Sequence, residues 1–164
     1  MSKPKINPPF KSTDILFEGI AAIAVIYIIV QVIIEYPGLE NEIVTHFDKA
    51  GKPDAWGNKT SFLILPIVVI SLYAGLTFLN RYPHLFNYPV EITQENAHRQ
   101  YQLAKSLIIF LKAGMLFIFG YIQYQTFSIA EGNSQGLGSF FIIAVMVVTF
   151  VPIIFYFACS IRNK

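Results

Sequence analysis

Four runs of apolar residues, each long enough to cross a bilayer, constrain this chain more than any other feature of its sequence. They cover about residues 15–34, 62–79, 107–127 and 137–159. Roughly 20 apolar residues are needed to traverse the hydrocarbon at about 1.5 Å per residue. In lipid every backbone N–H and C=O must be satisfied internally, so a continuous apolar run of that length is read as a helix. Composition agrees. Hydrophobic residues make up 54% of the 164 and charged residues only 13%, against about a quarter charged in soluble domains. The sequence therefore predicts an all-α membrane protein, residues 1–164 forming a single domain of four transmembrane helices.

The first run is read as a retained span. Its length exceeds the roughly 7–15 apolar residues of a secretory signal, it carries Glu18, and no small-x-small cleavage site follows it. Orientation follows from lysine and arginine placement. Lys3, Lys5 and Lys11 precede the first run, Arg81, Arg99 and Lys105 lie between the second and third, and Arg162 and Lys164 follow the fourth. The opposite side carries Lys49, Lys52 and Lys59 among Glu35, Glu40, Glu42, Asp48 and Asp54. Both termini are expected in the cytoplasm, with a long first extracytoplasmic loop, in the inner (cytoplasmic) membrane. The net charge of +2 comes from scattered basic residues rather than a stripe, so nucleic acid is not an expected partner. Cys159 stands alone in the fourth run, and no intramolecular disulfide is expected.

Local signals refine the picture. Thr93, followed by Glu95, reads as the N-cap of a helix running from about residue 94 to 127, its first three turns outside the hydrocarbon. Asp14 and Glu18 lie early in the first helix, where negative charge suits the dipole. Pro152 interrupts the donor ladder of the fourth span, where a kink is expected.

Chemistry-bearing residues fall in two places. Charge inside a bilayer is costly and often functional. Lys112 lies about five residues into the third span, and Glu18 lies at a similar depth in the first. Either the two pair across a polar cavity or each reaches the headgroup layer separately. The second is the simpler expectation, because both are within snorkelling range. The outer loop, residues 36–61, holds the other group: Glu42, His46, Asp48, Asp54, Trp56 and Lys59, punctuated by Gly51, Pro53 and Gly57. Loops of this length are more often functional than merely connecting. Glu42 and His46 would share a face if the segment were helical. His46 with Asp54 could contribute to a divalent-metal site, although a closed site needs about four ligands and the loop offers one imidazole. A hydrogen bond from His46 to Asp54 that fixes the loop is favoured over a metal, with Trp56 at the membrane surface. His84 and His98 fall on the other side. No His-Glu-x-x-His, Gly-x-Ser-x-Gly or phosphate-binding glycine loop is present.

The stretch Ile43-Val44-Thr45-His46-Phe47, then Asp48 to Gly51 and Pro53-Asp54 with Trp56-Gly57-Asn58-Lys59, resembles a bacterial membrane domain family of unknown function. Its pattern is Ile-Pro-x-His-(Phe/Trp), Gly-x-Pro-Asp and a nearby lysine before a Leu-Pro, here Leu65-Pro66; Val44 stands where the family has proline. Pro83-His84, Phe86-Asn87-Tyr88-Pro89, Ile92-Thr93 and Glu95-Asn96 are similar to its middle region, so the likeness spans about residues 36–105. This family's domain also forms the N-terminal part of immunity proteins against a secreted sporulation-delay toxin. The resemblance implies a small multi-span bacterial protein with an outward-facing His/Gly-Pro-Asp loop. It does not imply toxin immunity or an enzymatic activity for this chain.

Three functions are compatible with these features. The outer loop reads as an immunity- or sensor-like module recognising a secreted peptide, an envelope lipid or a membrane-protein partner. A membrane-embedded, metal-dependent enzyme could use His46 with Asp54 or Glu42 on a lipid-derived substrate. A transporter subunit could line a path with Glu18 and Lys112. The first needs the fewest additional parts.

Overall fold

The computed structural model describes residues 3–164. Four long helices dominate: α1 (Ser12–Glu35), α2 (Ile64–Leu79), α3 (Ala97–Ala130) and α4 (Phe141–Arg162). With the short 3-10 turns that extend α1 and α2, all four are long and apolar enough to cross a membrane. Hydrogen bonds define two ends. At one, Lys3 Nζ donates to Phe86 O, Tyr101 Oη to Pro4 O (2.9 Å), and Gln100 Nε2 to Asn163 O (2.8 Å). Both termini and the segment between α2 and α3 therefore meet there. At the other end Leu137 N donates to Gly51 O (2.7 Å), joining the first and third connections.

The predicted spans hold, with boundaries moved by identifiable contacts. α1 starts three residues early, because Asp14 Oδ2 accepts from Lys11 N (2.8 Å) and satisfies an orphan donor of the first turn. α3 runs Ala97–Ala130 rather than 94–127. Thr93 nonetheless closes its start: Asn96 N donates to Thr93 Oγ1 (3.2 Å) and Thr93 N to Asn96 Oδ1 (2.9 Å). α4 begins at Phe141, not 137. Gly136 (φ +158°) and Gly138 (φ +81°) hold conformations in which L side chains are strained, so helix cannot propagate back through them.

The largest departure is in the first connection. It is not an irregular loop on an otherwise all-α protein but an antiparallel hairpin of β1 (Glu42–Phe47) and β2 (Pro53–Asn58). Ile43 and Val44 are buried, and a cluster of Leu39, Ile43 and Phe62 packs with Val32, Tyr36, Phe127 and Ala130, seating the hairpin on the ends of α1 and α3.

Within the bundle α3 is the hub and packs on each of the other three helices. Ala21, Ile28, Val69, Ala113 and Leu116 form the buried centre of α1, α2 and α3. α4 rests chiefly on α3, with only Tyr156 and Ser160 buried. Gly114 permits that contact: a Cβ there would lie 2.4 Å from Val148 Cγ1.

Candidate functional site

The hairpin positions its polar residues through its turn. Asp48 N donates to Lys52 O (2.8 Å) and Gly51 N to Asp48 O (2.9 Å). Asp48 Oδ1 accepts from Ala50 N and Lys52 N, both at 2.8 Å, an arrangement by which aspartate stabilises turns. The Lys52 amide, with that of Ala50, holds the Asp48 carboxyl below its ordinary range against a smaller opposing effect of desolvation. Gly51 supplies the required positive φ (+75°). Beyond the turn, Phe47 faces Pro53 and His46 faces Ala55, with irregular register on both sides of His46. The irregularity re-aims a side chain, as bulges do.

His46 Nδ1 lies 2.6 Å from Asp54 Oδ1, as expected from the sequence. An ionised carboxylate only accepts, so Nδ1 carries the shared hydrogen and a neutral ring presents Nε2 as an acceptor. The pair is open to water, with side-chain exposures of 68% for His46 and 44% for Asp54. A cavity of about 570 Å³ lies beside it, bounded by the hairpin turn on one side and by Ile122, Leu137, Phe141 and Ile142 on the other. Thr45, His46, Asp48, Lys49 and Ser139 contribute its polar lining.

The other loop candidates have different surroundings. Glu42 opens β1 opposite Asn58, four strand residues from His46. At about 3.3 Å per residue that is roughly 13 Å, so the helical juxtaposition of Glu42 and His46 does not occur. Lys59 closes the base of the hairpin: its N–H donates to Asn41 O (3.0 Å), Nζ donates to Leu39 O (3.2 Å), and the ammonium stands 5.4 Å from the Tyr36 ring. Trp56 pairs with Val44 across the strands and is 55% exposed. Among the described residues, no three His, Cys, Asp or Glu side chains converge in a metal-binding group.

The buried pair overturns the snorkelling expectation. Lys112, 1% exposed, donates to both oxygens of Glu18 at 2.7 Å and to Thr77 Oγ1 at 2.8 Å, with its ammonium 4.7 Å from the Tyr73 ring. Three helices meet on one ammonium. The terminal end holds further polar contacts that the sequence did not single out. Asp14 also accepts from Gln102 Nε2 (2.9 Å) and Ser106 Oγ (2.7 Å). Buried Lys105 donates to Asn7 Oδ1 (2.6 Å) and to Pro8 O. Gln100 caps α4, accepting from Ser160 Oγ (2.5 Å) and donating to the carbonyls of Ser160 and Asn163. One signal was legible: Gln102, Lys105 and Lys112 recur at helical spacing on α3. The far wall of the cavity had none, because Leu137, Phe141 and Ile142 read only as the start of a span.

Four membrane-crossing helices and one seated hairpin define a small multi-pass membrane protein. Residues 22–70, from α1 through the hairpin into α2, match the model of a domain of unknown function (DUF1648). The chain is also similar to an uncharacterized protein of Archaeoglobus fulgidus, 28% identical over 174 aligned positions that cover 94% of this chain and 92% of the relative. No solved structure matches the chain significantly. The matched stretch contains His46, Asp54 and Lys59, whereas the likeness read at Pro83 to Asn96 lies outside it. The relative is archaeal, and neither comparison ties the chain to bacteria or to immunity.

Proposed function

We propose that this chain is a recognition module of the cytoplasmic membrane, with its terminal end inside and its hairpin outside. The basic residues Lys3, Lys5, Lys11, Arg81, Arg99, Arg162 and Lys164 gather at the terminal end, and the positive-inside rule assigns that end to the cytoplasm. The working site is the hairpin face at His46, and its occupant is drawn from secreted peptides, envelope lipids and membrane-protein partners. One observation carries this reading: His46, fixed through Nδ1 by Asp54, stands open beside a cavity walled by a second chain segment. Pockets with a few convergent polar groups on apolar walls are the usual form of a ligand site.

Glu18 and Lys112 are assigned a structural role. Lys112 already satisfies its three hydrogens on Glu18 and Thr77, leaving no donor for a transported solute.

The test is complementation in a strain lacking the gene. His46→Ala and Asp54→Ala should each abolish complementation while expression and thermal stability in detergent stay near wild type. His84→Ala, at the terminal end, should complement fully. Full complementation by His46→Ala would place the working site elsewhere.

A further inference from the structure

Gln123 of α3 carries a buried polar atom that the fold leaves unused. The side chain is 1% exposed, and its Nε2 donates to Ile28 O (2.9 Å) on α1, with Gln31 Oε1 3.4 Å away. A carbonyl only accepts, so the contact with Ile28 fixes which end of the amide is nitrogen. The other end, Oε1, is buried and has no hydrogen-bond partner among the described residues. An unmatched acceptor is costly wherever water is scarce, and most of all beside hydrocarbon.

Gln123 also borders a cavity of about 270 Å³ under the hairpin. Its roof is β1, and its walls are the start of α2, at Ile64 and Leu65, and α3, at Ile122, Gln123 and Thr126. α1, which holds Nε2, contributes nothing to that lining, so the oxygen on the far side of the amide is turned toward the cavity. Thr45, Ser61 and Thr126 add hydroxyls, and that of Thr126 already donates to Ile122 O (3.0 Å), leaving its lone pairs. Every other bordering side chain is apolar, and none is charged. His46 and the hairpin turn do not border this cavity.

These features select the chemistry of an occupant. The orphan oxygen requires a hydrogen from it. A lining without charge cannot compensate an ion for its lost hydration, so the occupant must be neutral. Gln123 lies seven residues before the end of α3, about 11 Å along the axis, and Ile64 and Leu65 open α2. The cavity therefore sits where the acyl chains of a bilayer begin. A neutral alcohol carried on acyl chains meets all three conditions.

We propose that this cavity binds a neutral acylglycerol from the bilayer, its free hydroxyl donating to Gln123 Oε1. The proposal goes beyond the reading of the hairpin face at His46 and does not rest on it.

The experiment reconstitutes the full chain in phosphatidylcholine nanodiscs holding a small fraction of one photoactivatable probe. The probes are a diacylglycerol, its methyl ether and phosphatidic acid, each with the same diazirine near the carboxyl end of one acyl chain. The ether lacks the hydroxyl hydrogen, and phosphatidic acid adds charge. Mass spectrometry locates the adducts. The diacylglycerol should label residues 61–65 and 122–126 about fivefold more than the ether, the discrimination expected of one net hydrogen bond. It should also label them more than phosphatidic acid does. Gln123→Met keeps the side chain's length and removes the oxygen, so it should bring diacylglycerol labelling down to the level of the ether. The ether puts the same question to the wild-type chain, and its answer stands even where that variant fails to fold.

Equal labelling by diacylglycerol and ether overturns the proposal and leaves the cavity to water. Phosphatidic acid labelling at or above the diacylglycerol overturns it too, as does a preference that survives in folded Gln123→Met. Adducts spread evenly along α1 and α4 overturn it as general lipid contact.

Discussion

His46 and Asp54 meet at 2.6 Å with 68% and 44% of their side chains exposed, whereas Lys112 and Glu18 meet at 2.7 Å with 1% and 18% exposed. The distances match but the surroundings do not. In water an ion pair gains little over its separate hydrated partners, about 0–1 kcal/mol. In a low-dielectric interior the cost of an unpaired charge dominates, and removing one partner destabilises by about 3–5 kcal/mol. The exposed pair can therefore offer a ligand the free edge of the His46 ring, while the buried one holds three helices and is not available. Similar geometry does different work at the two places because water reaches only one of them.

Lys112→Leu gives the largest effect expected from this contrast. Glu18 would be left facing apolar neighbours, and a loss of about 3 kcal/mol would lower the unfolding midpoint in detergent by roughly 6–12 °C. Adding Glu18→Leu should recover part of the loss, since replacing a whole buried pair by apolar groups is often nearly neutral. A double variant less stable than Lys112→Leu alone would show that Glu18 contributes something other than this pairing.

Gly114→Ala comes next. The new methyl would collide with Val148 Cγ1, and overpacking of this kind costs about 1–3 kcal/mol. Valine cannot rotate away cheaply, because its χ1 is strongly restricted in a helix. Val148→Ala should relieve the collision, and thermal unfolding of the two single variants and the double variant checks it. Failure of the double variant to recover would mean that the α3–α4 seam does not depend on this contact.

His46→Ala should change stability by about 1 kcal/mol or less, because the pair is solvated. The same variant should nonetheless lose complementation. A midpoint several degrees lower with function intact would make His46 a staple of the hairpin.

The smallest effect concerns pH. The Asp48 carboxyl is held below its ordinary value by the amides of Lys52 and Ala50. A depressed carboxylate contributes stability that is present above its unfolded pKa and is lost as pH falls through the folded one. The share of hairpin stability owed to Asp48, followed by acid unfolding with Trp56, the sole tryptophan, as the probe, should therefore be lost only as pH falls below the ordinary carboxylate range. Asp48→Asn should flatten that acid limb. An acid limb that persists unchanged in Asp48→Asn would contradict the assignment to Asp48.

The two places also differ in how far the sequence revealed them. The spans were legible because lipid imposes one solution on a long apolar run, and their errors of a few residues trace to Asp14, Gly136 and Gly138. The His46–Asp54 contact was anticipated from turn residues between a donor and an acceptor. The strands themselves were not. Ile43 and Val44 are adjacent buried residues, so β1 lacks the alternation that announces a half-buried strand. The Lys112–Glu18 pair depended on the relative rotation of α1 and α3, which side-chain packing sets and helical periodicity leaves open. The cavity wall was hidden for the same reason, since Leu137 and Ile142 meet the hairpin only in three dimensions.

The recognition reading requires the hairpin end to face outward, and site-directed thiol labelling of intact cells tests that most directly. In a Cys159→Ala background, single cysteines at Lys52 and Asn133 should react with a membrane-impermeant maleimide added outside. A cysteine at Asn96 should react only after the cells are opened. Labelling of Asn96 from outside with Lys52 protected would invert the protein in its membrane and contradict the account.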